Sequence, residues 1–175
     1  MTTKNDLNLR VNEWKQGKIK TLFITGYLGS GKTVTGKELA KKYNAEFIEL
    51  DSYREKEINR LIKKDISKIT TEQVDKLWDT ILKDLECRIE LNKKRLIIEG
   101  IEIVFMTRKV VLSQAVLIKN TGLFKSTYRA CKRNIQNKFE NGYENESIFY
   151  IIKDTIKNQK LFHKHIVSFW HAPLE

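Results

Sequence analysis

Apolar residues in this chain gather into short solid blocks, separated by longer stretches with a helical rhythm. The blocks are Leu22-Phe23-Ile24, residues 45–50 (AEFIEL), residues 95–100 (RLIIEG) and residues 114–120 (QAVLIKN). Short apolar runs without polar alternation predict strands buried on both faces. Between them, residues 34–43 supply good helix formers in Lys37, Glu38, Leu39, Ala40 and Lys41. Residues 53–66 set Ile58, Leu61, Ile62 and Ile66 at helical spacing. Another helix is predicted from Thr70, where Thr70 and Gln73 fit a capping box. Its stripe of Val74, Leu77, Trp78, Ile81, Leu85 and Ile89 places Trp78 in a core rather than a binding role. Residues 123–139 read as a helix, ENGYENE as a loop, and residues 147–170 as a final helix. Strands alternating with helices predict an α/β fold: three layers, a parallel sheet covered by helices on both faces. The 175 residues fit one domain.

The junction between the first strand and the first helix, TLFITGYLGSGKTVTGKELAKKY, carries the most specific chemistry. Gly26, Gly31, Lys32 and Thr33 match G-x-x-x-x-G-K-[ST], a phosphate-binding loop. Glycine brings bare N–H groups close to an anion, and the following helix points its positive end at the same place. Gly26, Gly29, Ser30, Gly31, Lys32, Thr33 and Val34 are the expected nucleotide contacts, with the Thr33 hydroxyl on magnesium. A dinucleotide fingerprint is excluded, because its third glycine would fall on Val34.

In a parallel sheet, ligands sit outside the carboxyl ends of the strands. The residues at those ends are the phosphate loop, Asp51, Glu99 and Asn120. Glu99 is expected to join Thr33 at the metal, directly or through water, and Asp51 to orient or deprotonate an acceptor hydroxyl. Arg129, Lys132 and Arg133 stand at i, i+3 and i+4, so one helix face presents them together. Arginine's planar fork suits phosphate oxygens. Arg129 and Arg133 are therefore expected to close over the transferring group as a helical lid, about residues 123–140. Arg54 and Arg108 are the candidates on the acceptor side.

Composition adds less. The formal net charge of +11 suits a polyanionic ligand and leaves nucleic acid open as a partner, but the cations are spread over helix faces. No apolar stretch approaches the roughly 20 residues that span a bilayer. The N-terminus lacks the apolar centre of a secretion signal, and Cys87 and Cys131 form no disulfide framework. A cytoplasmic protein that does not enter a membrane is expected. The sequence carries no signal of oligomeric state.

The order of these features resembles the small adenylate-kinase-like P-loop kinases: phosphate loop, strand then Glu49-Leu50-Asp51-Ser52, strand then Glu99-Gly100, then strand and R-x-x-K-R helix. That group includes nucleoside monophosphate kinases, shikimate and gluconate kinases, and the kinases labelled DNA topology-modulation proteins, the last closest in layout. The resemblance covers roughly residues 20–140 and implies a P-loop NTPase fold. It further implies ATP and Mg2+ at Lys32 and Thr33, an acceptor at Asp51, and lid residues Arg129 and Arg133. Glu99 stands where many members have Asp-Gly, no arginine-rich insertion marks the lid, and no final strand is visible, so the adenine pocket stays unassigned. The expected function is an ATP-dependent phosphotransferase acting on a nucleoside, nucleotide or other small acceptor. The alternatives are a nucleic-acid-binding P-loop protein such as a polynucleotide-end kinase, and a nucleotide-binding protein without kinase chemistry. A GTPase is disfavoured, since Asn92-Lys93-Lys94-Arg95 lacks the aspartate of N-K-x-D.

Overall fold

The computed structural model describes residues 4–27, 29–62, 71–119, 125, 127–129, 131–132, 153, 156–157 and 160. In chain order the elements are α1 (Lys4–Lys15), β1 (Thr21–Thr25), α2 (Lys32–Tyr43), β2 (Glu46–Glu49) and α3 (Leu50–Ile62). They are followed by α4 (Thr71–Leu91), β3 (Leu96–Glu99), a 3-10 turn (Glu102–Phe105), α5 (Arg108–Ser113) and β4 (Ala115–Ile118). The strands form one four-stranded sheet in the order β2-β3-β1-β4. Every pairing is parallel, with Phe23 opposite Ile98 and Val116, and Glu49 opposite Glu99.

Alternate side chains of the buried strands feed opposite faces. Phe23, Ile48, Leu96 and Ile98 point into a core closed by Trp78, Ile81, Leu85 and Ile89 of α4 and Val110 and Val111 of α5. Leu22, Ile24 and Ile97 point the other way, against Val11 and Trp14 of α1 and, at the margin, Leu39, Ala40 and Tyr43 of α2. Helices cover both faces, as the strand–helix alternation predicts. Trp78 is core, as its stripe implies, and carries the Arg54 guanidinium 5.5 Å above its ring.

Two elements depart from the pattern. The polar N-terminus folds as α1, which turns Leu7, Val11 and Trp14 toward the sheet and leaves Leu9 exposed. Arg10 ties it to the junction of α5 and β4 by donating to the carbonyls of Gln114, at 3.0 Å, and Ser113. Trp14 donates its ring N–H to the Lys20 carbonyl at 3.2 Å and meets Tyr43 edge to face. Second, α3 begins at Leu50, with no loop after β2, so Asp51 lies in its first turn. The capping box at Thr70, the turn at Thr121-Gly122 and most of the helices expected over 123–139 and 147–170 lie outside the described residues. Among those described, no helix is long and apolar enough to cross a membrane.

The chain leaves β1 through α2 on one face of the sheet and leaves β3 through α5 on the other. Adjacent strands whose connections part in this way leave a crevice at their carboxyl ends. Here the crevice lies between β1 and β3.

Candidate functional site

The phosphate loop is held at that crevice by backbone contacts. The N–H of Lys119 donates to the Thr25 carbonyl at 2.8 Å, and the Lys119 carbonyl presses on Gly26. A Cβ on Gly26 would come 2.4 Å from that oxygen, so no larger residue fits while β4 stays in place. Gly31 precedes α2 at φ 84°, the left-handed region that glycine enters freely, and no side chain caps the helix. The first-turn N–H groups of a helix have no intrahelical partner. In α2 that turn, Lys32 to Thr35, lines an open cleft of about 540 Å³.

Glu99, at the end of β3, faces the loop. Its Oε1 lies 3.3 Å from the Lys32 Nζ, and its Oε2 accepts from the Thr33 hydroxyl at 3.0 Å. The carboxyl is almost wholly buried, and burial pushes its pKa up despite Lys32 and Thr33; Glu49 opposite adds repulsion. Hydroxyl and carboxylate oxygens are the hard donors that magnesium takes alongside phosphate. Among the described residues no group of three or more His, Cys, Asp or Glu could hold a metal alone. The donor set fits an ion that arrives with a nucleotide.

The cleft is also lined by Glu49 from β2 and Asp51 from α3. A carboxylate in a helix's first turn is favoured by the positive end of the helix. Behind Asp51 stands Glu102 of the 3-10 turn, whose pKa rises to about 7 through burial first and its hydrogen bond with Asp51 second. Over the loop, Arg129 donates from Nη1 to the Gly29 carbonyl at 3.1 Å, and Lys132 lines the same cleft.

The structure thus brings Gly29, Ser30, Gly31, Lys32, Thr33, Val34, Asp51, Glu99 and Arg129 to one cleft, with Gly26 beneath it. Arg54 is not among the cleft's lining residues; it covers Trp78. Arg108 opens α5, and its side chain lies outside the described residues, as does all of Arg133. Sequence reasoning overlooked Glu49, Glu102 and Lys119. Glu49 had a signal: it precedes Asp51 by two positions at the end of an apolar strand. Glu102 had none, since only the fold back after β3 sets it beside Asp51.

Comparison with known proteins bears on the fold. The family model for shikimate kinase matches residues 28–98. The shikimate kinase of Bacteroides thetaiotaomicron is 46% identical over 41 residues, 23% of each chain. That of Parabacteroides distasonis is 54% identical over 37 residues, 21% of each. These matches span less than a quarter of the curated relatives' length. Among solved structures, the B. thetaiotaomicron shikimate kinase superposes with a TM-score of 0.56 at 20% identity, covering 84% of this chain and 83% of the other. Shikimate kinase from Acinetobacter baumannii in complex with shikimate gives 0.52 at 18% identity, covering 87% and 83%. The fold is the α/β P-loop NTPase fold. The resemblance to small adenylate-kinase-like P-loop kinases holds, and shikimate kinases are among the members matched.

Proposed function

We propose that this chain is an ATP-dependent kinase that moves the γ-phosphoryl group to a hydroxyl of a small acceptor. One observation carries the reading. Lys32 and Thr33 of the phosphate loop meet Glu99 across the crevice, while Asp51 lines the same cleft. The likeness to shikimate kinases supports it, and makes shikimate the first acceptor to try.

The loop's N–H groups and Lys32 receive the nucleotide's phosphates, with Lys32 exchanging Glu99 for phosphate oxygens. When bound, magnesium would neutralise charge on the phosphates, and Thr33 and Glu99 are the groups that would hold it. Asp51 accepts the hydroxyl proton as the acceptor oxygen attacks the γ-phosphorus. The bond from that phosphorus to the β–γ bridging oxygen breaks, and ADP departs. Arg129, already over the loop, places its guanidinium where charge spreads in the transition state, and Arg133 is proposed to join it.

The test is acceptor-dependent ADP release from ATP and magnesium, assayed with shikimate, gluconate, nucleosides and nucleoside monophosphates. We expect one class to stimulate release and ATP to raise the Tm. Absence of both effects would overturn the reading.

A further inference from the structure

We propose that Glu102 is the positioning residue for Asp51: the two carboxyls share one proton, and Glu102, as the acid, holds Asp51 turned toward the acceptor hydroxyl. This rests on the kinase reading above and deepens it at the acceptor end.

The geometry has three parts. Oε2 of Glu102 is buried and meets no hydrogen-bond donor among the described residues. It lies against Gly100, where an added Cβ would come 2.7 Å from it, and Leu50 closes the same space. Asp51 nevertheless stands within hydrogen-bonding reach. Two carboxylates have no hydrogen to share and repel, so this contact is favourable only with a proton between them. The charged groups that bear on Glu102 are Asp51 from α3 and Lys32 from α2. The apolar wall favours the neutral form of Glu102, and its raised pKa agrees.

Asp51 lines the cleft and Glu102 does not. Glu102 therefore acts through Asp51. A donor behind Asp51 fixes its rotamer and leaves its other oxygen for the acceptor hydroxyl. Ionisation of Glu102 removes that donor and places a second negative charge behind the base. Transfer then declines as pH rises through Glu102's titration.

Two measurements test this. Infrared spectroscopy of the full chain should show a carboxylic acid band that titrates near neutral pH and is absent from Glu102→Gln. Its absence from the parent, or its persistence in the variant, overturns the proposal while leaving the kinase reading intact. In the ADP assay, Glu102→Gln keeps a donor and should retain kcat within about threefold, without the alkaline decline. Glu102→Ala should lose tenfold or more in kcat, with the KM for ATP shifting much less. Equal losses in both variants, or an alkaline decline that survives in Glu102→Gln, would mean a merely structural carboxyl. A parent with the band but no transfer to any acceptor defeats the kinase reading and leaves the proton-sharing pair standing.

Discussion

The two ends of the cleft are assembled in different ways. At the end taken for the nucleotide, the loop's shape follows from Gly26 and Gly31, a clamp from Lys119 just past β4, and the start of α2. At the acceptor end, Glu49, Asp51 and Glu102 come from β2, α3 and the turn after β3. Their proximity depends on the parallel register that sets Glu49 beside Glu99. A local loop keeps its geometry wherever its residues occur together. A composite end depends on every element that carries it, so a change in any of the three can reshape it while the loop stays the same.

Replacing Lys32 should break the nucleotide end outright. In Lys32→Ala, ATP-dependent thermal stabilisation should disappear and transfer should fall by about 1000-fold or more, with the circular dichroism unchanged. Unchanged ATP binding would sink the kinase reading altogether.

Asp51→Asn tests the other end alone. Loss of the proton acceptor should lower transfer about 100- to 10,000-fold while ATP affinity stays near that of the parent. Should affinity for ATP with magnesium fall instead, Asp51 belongs to the metal side and the division of the cleft is wrong.

The same division explains what could be read from the sequence. The phosphate loop was legible because its function and its spacing are one local fact. The strands were legible because burial on both faces leaves solid apolar runs, seen in Leu22 to Ile24 and Leu96 to Ile98. Asp51 and Glu99 followed from the rule that ligands sit at strand ends. Helix α1 escaped notice because Leu7, Val11 and Trp14, with Leu9 exposed between them, are a weak signal in a polar segment until Trp14 is seen buried beside Tyr43. Arg54 looked like an acceptor contact from its place after Asp51, but one helical turn carries it over Trp78 instead. Glu102 is legible only in three dimensions.

Arg129 is bonded to the loop at Gly29, yet its effect should split differently from that of Lys32. Contacts that tighten in the transition state lower rate more than ground-state binding. Arg129→Ala should reduce kcat about 10- to 100-fold, with a smaller change in ATP dissociation constant. Lysine should rescue poorly, lacking the two-pronged fork. Full activity in Arg129→Ala would make this cluster a solvated surface, bound to Gly29 without consequence.

Gly36 probes the scaffold that joins the ends, since α2 carries Lys32 and β2 carries Glu49. A Cβ there would come 2.4 Å from Cε2 of Phe47, so helix and strand must separate or the ring must turn. Gly36→Ala should destabilise the fold by about 1–3 kcal/mol, the usual range for overpacking. A Tm equal to the parent's would show that Phe47 repacks freely.

The smallest effect concerns stability against pH at the acceptor end. Glu102 titrates near pH 7 in the folded protein, against an ordinary value of 4.5, chiefly through burial and then through Asp51. Between those values the native state keeps a proton that the unfolded chain has released. Stability therefore falls as pH rises from about 4.5 to 7 and is flat above, as far as this group is concerned. Glutamine carries no such proton, so Glu102→Gln should lose less stability than the parent over that window. Partial exposure screens the effect to about 1–2 kcal/mol, or a few degrees in Tm. Thermal melts of both proteins at pH 5 and pH 8 give the comparison. Glu99, buried at the nucleotide end with its pKa also raised, contributes a slope of the same sign to both proteins and cancels. Parallel melting curves would mean that Glu102 is ionised in the fold and that the acceptor end tolerates two adjacent carboxylates.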